Sequence, residues 1–207
     1  MTQRNYAQFV QRLDALPSID LSTIGLIGEY PVHCISLKNS REKTCKILLT
    51  AGVHGDEPAG VEAVLHLLEN ERSELLEQFS FAIVPCINPS GYVHNTRENG
   101  QGADINRSFE EDHVNEVHLI KDLLQGQQID CFVDLHEDWE ATGFYLHEGR
   151  RNKQWIGPDI ISTVETIGPI DPDGDSDDGE ADAPLSRGVR FVAAHLAALK
   201  NVLAHYS

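Results

Sequence analysis

Lys46-Ile-Leu-Leu-Thr-Ala-Gly-Val-His-Gly-Asp-Glu-Pro-Ala-Gly-Val-Glu-Ala-Val-Leu-His-Leu-Leu-Glu69 is the stretch that decides the fold. Its first part, Lys46 to Val53, is short and apolar and is closed by a glycine, which predicts a buried strand. Its last part, Pro58 to Glu69, predicts a helix that tolerates proline in its first turn. Between them, His54-Gly-Asp-Glu57 forms a polar turn at the carboxyl end of the strand. Open α/β sheets place their ligand crevice at that end.

Outward from this unit, strands and helices continue to alternate. Tyr6, Phe9, Val10 and Leu13 recur at helical spacing, giving an opening amphipathic helix that ends near Pro17, followed by a loop. Pro31–Leu37 alternates as a strand, and Phe81–Ile87 is the next one, with Asn88-Pro-Ser-Gly91 as its turn. From Asn88 to Phe109 the chain is polar, rich in Gly and Asn and without hydrophobic period, as long functional loops are. Glu111–Leu124 reads as a helix, Ile129–Leu135 as a strand, Gly143–Leu146 as a short strand and Trp155–Ile167 as a helix. An acidic low-complexity loop follows at about 171–183. A final amphipathic helix is expected from about Leu185 to Ala204, carrying Val189, Val192, Leu196, Leu199 and Leu203. The expected fold is α/β: one domain over residues 1–207, a three-layer sandwich with a mixed, largely parallel sheet flanked by helices.

With 207 residues, 41% of them hydrophobic and 24% charged, the chain has the composition of a globular protein with a sizeable core. Its net charge of -17 argues against nucleic acid, because a polyphosphate needs a basic surface to displace its counterions. It does not exclude a small anion held by a few arginines and a metal. No apolar run approaches the roughly 20 residues that cross a bilayer, so no membrane partner is expected. Met1-Thr-Gln-Arg-Asn-Tyr-Ala lacks a basic segment followed by an apolar one, and Cys34, Cys45, Cys86 and Cys131 form no Cys-x-x-Cys pair. A reduced, cytoplasmic setting is the expectation.

Two predicted strands end in metal-binding chemistry. The first delivers His54 and Glu57, and the second ends in Asp134-Leu-His136-Glu137. Two imidazoles and a carboxylate are the ligand set of many catalytic zinc sites, which leave a fourth position open. Asp104 or Asp134 is placed to accept the free N–H of a ligating imidazole and so fix its tautomer. Taken singly, each feature is also what an ordinary strand-end histidine looks like.

Read in order, Val53-His-Gly-Asp-Glu-Pro-Ala-Gly60, Asn88-Pro-Ser-Gly91, Thr96-Arg-Glu-Asn99, Asp104-Ile-Asn-Arg-Ser-Phe109 and Asp134-Leu-His-Glu137 resemble the zinc carboxypeptidase superfamily. Within it, the series is most similar to the succinylglutamate desuccinylase/aspartoacylase branch. The resemblance implies one Zn²⁺ per chain, held by His54, Glu57 and His136. It implies that Arg97 polarises the scissile carbonyl, that Asn106 and Arg107 grip a substrate carboxylate, and that Asp104 supports the first His ligand. A planar guanidinium fork suits a carboxylate, and a cation aimed at developing negative charge stabilises the transition state by about 3 kcal/mol. The implied activity is zinc-dependent cleavage of an amide bond in a small molecule or short peptide bearing a free carboxylate, either carboxypeptidase-like or as an N-acyl amino acid deacylase.

The family's general base is a Glu on a late strand before the last helix. Between Ile170 and Leu185 no apolar, β-branched run offers that strand, and Glu180, ahead of Pro184 and the terminal helix, is the candidate base. The competing expectation is a zinc-binding member that has lost this strand and turns over slowly or not at all.

Overall fold

The computed structural model describes residues 3–38, 44–70, 75–111, 113–149, 155–171 and 189–191. The described residues up to Glu137 form one compact unit and those from Asp138 onward another.

In the first unit, Asn5 caps helix α1 (Tyr6–Asp14) by accepting a hydrogen bond from the Gln8 N–H, and Tyr6, Phe9 and Leu13 form its buried face. Strands β1 (Asp20–Ile27) and β2 (Tyr30–Leu37) follow as an antiparallel pair. Then come β3 (Cys45–Ala51), α2 (Pro58–Asn70) and β4 (Phe79–Val84). Helix α3 (Pro89–His94), a 3-10 turn (Ile105–Arg107), α4 (Asn115–Leu124) and β5 (Cys131–Leu135) complete the unit. Here the structure corrects two readings. β1 occupies what the sequence presents as loop, and Asn88-Pro-Ser-Gly91 is the start of α3, with Asn88 as its N-cap, and not a bare turn.

The sheet order is β1-β2-β4-β3-β5. β2 pairs antiparallel with β1 and β4, while β3 pairs parallel with β4 and β5, so the sheet is mixed as expected. Strand side chains alternate between faces. On one face Ile35, Leu37, Leu49, Ala51, Phe81 and Ile83 pack with the apolar residues of α1 and α2. On the other, Val32, Cys34, Leu48 and Val84 are equally buried. Gly25, paired with Val32, abuts Leu119 of α4, so α4 covers that second face. Helices on both faces of one sheet make the three layers. Each fully buried Leu, Ile or Val contributes about 1.5–3 kcal/mol.

The second unit holds β6 (Leu146–Glu148), α5 (Gly157–Val164) and β7 (Val189–Phe191). β6 and β7 pair in parallel, with Leu146 opposite Val189. The expected strand at Gly143–Leu146 is reduced to an isolated bridge between Phe144 and Ile170, and the ladder begins at Leu146. Glu148 accepts from the Ile156 and Gly157 N–H groups, both at 2.8 Å, and so caps α5. Ile161 and Ile170 form a small core with Leu146, Trp155 and Val164. The terminal helix expected from Leu185 is corrected at Val189–Phe191, which is a strand. Val189-Arg-Phe191 alternates with a β-branched and aromatic bias, and here period two outweighs the helical spacing of the leucines downstream. The acidic loop beyond Asp171, with Glu180, and the rest of the expected final helix lie outside the described residues. No helix of the described residues is long and apolar enough to cross a membrane.

Candidate metal centre

Parallel pairing of β3 with β5 aligns Thr50 with Asp134 and Ala51 with Leu135, so both strands deliver their last residues to the same edge. Beyond Ala51 the chain turns at Gly52, whose φ of +63° favours glycine. Gly55 then lies against the backbone of Gly91 and Tyr92, where a Cβ would collide. This tight approach folds His54 and Glu57 back over the strand ends. His136 arrives directly from β5.

The ligand atoms of His54, Glu57 and His136 all lie within 4.8 Å of one another. Both imidazoles turn Nδ1 toward the same carboxylate, His54 to Glu57 Oε1 at 2.6 Å and His136 to Glu57 Oε2 at 2.8 Å. The ring centroids are 4.9 Å apart. Each outward nitrogen has its own carboxylate. His54 Nε2 faces Asp104 Oδ1 at 3.2 Å, and His136 Nε2 faces Asp134 Oδ2 at 3.1 Å. Asp134 is itself held by the Thr50 hydroxyl at 2.6 Å. This is a fit to a divalent cation in chemical terms. Carboxylates at Nε2 would keep a proton there on each ring once a cation displaced the Nδ1 protons, so that two Nδ1 lone pairs and the Glu57 carboxylate would converge on it.

Electrostatics follow from the same contacts. Burial alone would raise the Glu57 carboxyl, but hydrogen bonds from His136, His54 and the Glu137 N–H hold it at about 2. Burial would lower the His136 imidazole, yet Asp134 and Glu57 push it up to about 10. Burial also works to raise Asp104, and the charges of His54 and Arg97 outweigh it, keeping the carboxyl below its usual range. A dication entering between these groups would have to displace the protons that the imidazoles share with Glu57.

Arg97 stands beside the candidate ligands, with Nε on Asp104 Oδ2 at 3.0 Å and Nη1 at 3.5 Å from Glu57 Oε1. Asp104 caps the 3-10 turn that carries Asn106 and Arg107, accepting from the Asn106 N–H at 3.0 Å. Asn106 is half-buried and Arg107 exposed. The structure thus brings His54, Glu57, His136, Asp104 and Arg97 into contact, with Asn106 adjoining and Arg107 one residue further. Glu180 is not among the described residues.

The sequence offers Asp104 or Asp134 as the supporting carboxylate, whereas in the structure each His has one of the two. Glu137, beside a ligand, turns its carboxylate to the Ala59 N–H at 3.0 Å and caps the first turn of α2. Buried Asn99 shapes the turn into Asp104, accepting from the Gln101 and Ala103 N–H groups and donating to buried Glu116 at 3.0 Å. Its signal in the sequence was an Asn beside Gly100 and ahead of Gly102, a common turn pattern with no metal chemistry of its own.

The family profile of the succinylglutamate desuccinylase/aspartoacylase catalytic domain matches residues 43–156. Carboxypeptidase 2 of Trichophyton rubrum is 30% identical over 115 residues, covering 53% of this chain and 21% of that protein. Mouse carboxypeptidase M is 28% identical over 130 residues, covering 51% of this chain and 28% of that protein. The chain therefore spans about a fifth to a quarter of the length of these curated relatives. Among solved structures, a candidate metallopeptidase from Shewanella baltica OS155 superposes with a TM-score of 0.71 at 22% identity. The match covers 98% of this chain and 93% of that one. At that identity the likeness speaks to the fold alone.

Proposed function

Because this chain belongs to the succinylglutamate desuccinylase/aspartoacylase catalytic-domain family, a family of carboxypeptidase-like metallohydrolases, we propose that it is a zinc-dependent hydrolase of amide bonds. Its substrate class is acyl–NH–CHR–COO⁻, in which the acyl group is a small acid or the remainder of a short peptide. Both an N-acyl amino acid deacylase and a carboxypeptidase act on that pattern. The observation that carries the proposal is the convergence of two imidazole Nδ1 atoms on one carboxylate, with an arginine at their side.

His54, Glu57 and His136 would hold the ion, and a bound zinc would supply Lewis acidity toward the scissile carbonyl and the attacking water. Asp104 and Asp134 keep the ligand imidazoles in the Nδ1-binding tautomer. Arg97 engages Asp104 through Nε while its side chain remains 40% exposed, which leaves guanidinium N–H groups for the carbonyl oxygen as its charge develops. Asn106 and Arg107 clamp the substrate carboxylate, and Arg107 suits that task because its exposed guanidinium makes no hydrogen bond or ion pair with the described residues. Water adds to the carbonyl carbon as its proton passes to a carboxylate base, for which Glu180 is the candidate. The C–N bond then breaks and the proton moves on to the leaving amine.

The test is a panel of N-acyl amino acids and short peptides assayed with zinc added, alongside metal analysis of the purified protein. Turnover of one class is expected, together with a loss of at least about 100-fold in kcat for Glu180→Gln at retained zinc content. Zinc bound without turnover of either class would sink the hydrolase reading.

A further inference from the structure

The turn that carries His54 is held on both sides by residues remote in sequence. Asn88, fully buried, donates from Nδ2 to the Val53 carbonyl at 3.4 Å and to the Arg97 carbonyl at 3.3 Å. On the far side of His54, Arg4 donates from Nη1 to the Gly55 carbonyl at 2.7 Å and to the Tyr92 carbonyl at 3.1 Å. Its Nη2 donates to Asn95 Oδ1, and its guanidinium lies 5.2 Å from the centre of the Tyr92 ring. Its backbone N–H donates to the Val93 carbonyl at 3.2 Å. No carboxylate of the described residues pairs with this cation.

Arg4 therefore grips the metal-ligand turn and the end of α3 at once. Asn95, left-handed at φ 57°, is the C-cap of α3, and Arg97 follows two residues later. The N-terminal segment has anchors of its own besides these contacts. Tyr6, Phe9 and Leu13 already bury α1, and Arg12 ties it to Glu62 at 2.7 Å and to Glu69 at 3.0 Å. A planar fork that bonds several acceptors at fixed angles is what guanidinium offers and ammonium does not.

We propose that Arg4 is a positioning residue of the metal centre. It locks the His54–Glu57 turn to the end of α3, so that the ligands and Arg97 keep one spacing, and metal affinity depends on it. The inference rests on the zinc reading above, and it adds an N-terminal arm to the machinery of that site.

The test uses the full chain, stripped of metal, as wild type, Arg4→Met, Arg4→Lys, Asn95→Ala and, as a control at the same segment, Arg12→Met. Zinc dissociation constants come from chelator competition, and the visible absorption of the cobalt-loaded forms reports ligand geometry. Arg4→Met is expected to weaken zinc binding about 10- to 100-fold and to shift the cobalt bands, as loss of a ligand-orienting partner does. Arg4→Lys and Asn95→Ala should fall between it and wild type. Arg12→Met should lower the melting temperature and leave zinc affinity within about twofold. Should Arg4→Met not fold, Arg4→Lys and Asn95→Ala decide, and wild-type affinity and cobalt bands in both would overturn the proposal. So would a loss in Arg12→Met as large as that in the Arg4 variants. A wild-type chain that binds no zinc overturns the zinc reading and this inference with it. A wild type that binds, beside Arg4 variants that bind equally, overturns this inference alone.

Discussion

Replacing Asp134 with alanine isolates one contact of the candidate metal centre. The carboxylate accepts from the Thr50 hydroxyl at 2.6 Å and faces His136 Nε2 at 3.1 Å, so it fixes both the tautomer and the tilt of a proposed ligand. A hydrogen bond with a charged partner contributes about 1.5–3 kcal/mol. The His136 and Asp134 side chains are 35% and 17% exposed, so water restores part of what the substitution removes. The lower end, about 1.5–2 kcal/mol, then applies, which is roughly a 10- to 30-fold loss of zinc affinity. The assay strips the protein of metal and titrates zinc against a chromophoric chelator at neutral pH. Thr50→Val leaves the carboxylate and removes only its donor, so a smaller loss of about two- to fivefold is expected. An Asp134→Ala protein that binds zinc within about twofold of wild type would refute the idea that this carboxylate orients His136.

Three further outcomes are expected. Gly55→Ala should destabilise the chain by about 3 kcal/mol or more in denaturant titration, because the added methyl meets the backbone of Gly91 and Tyr92 and no flexible side chain. Metal-free stability should pass through a plateau between the unfolded-state values of 4.5 for Glu57 and 6.5 for His136. Glu57, depressed to about 2, stabilises the fold above 4.5 and loses that contribution as pH falls toward 2, while His136, raised to about 10, stabilises below 6.5 and loses it as pH rises through 10. Unfolding curves of the stripped protein across pH check both flanks, and a monotonic profile would contradict them. Adding zinc at a hundred times its Kd should stabilise by about 2.7 kcal/mol, or roughly 5–11 °C in Tm, and a chelator should reverse the shift.

The parts of the molecule that could be read in advance are those where one physical signal dominates. Ile47–Ala51 is apolar but for Thr50 and is packed on both faces, and it showed itself as a strand leading into the candidate ligands. The helix from Pro58 and the strand into His136 were equally plain. β1 was not, because it is an edge strand largely open to solvent and its alternation breaks at a register shift between Thr23 and Gly25. At six residues α3 is too short to display a helical period, and its Asn-Pro start also suits a turn. β7 was hidden inside a longer leucine spacing. The pairing of each aspartate with its own histidine depends on the register of β3 against β5, which no single stretch encodes. The contacts of Arg4 reach 51 to 91 residues along the chain, and an arginine near a terminus carries no local mark of such a role.

The alignment of β3 with β5 also bears on when the ion can arrive during folding. Glu57 and His136 are 79 residues apart, and they meet only after a parallel ladder has closed with Thr50 opposite Asp134. A slip of one residue would send His136 to the opposite side of the sheet, so a misregistered chain presents only two ligands. Long-range parallel pairing is among the slower steps a chain completes. On the proposed zinc reading the ion would find no complete nest before the topology is finished, and it would hold the finished molecule together without hastening its assembly. Occupancy of the proposed site would then certify correct maturation, since only chains whose central strands have found their true neighbours could be filled.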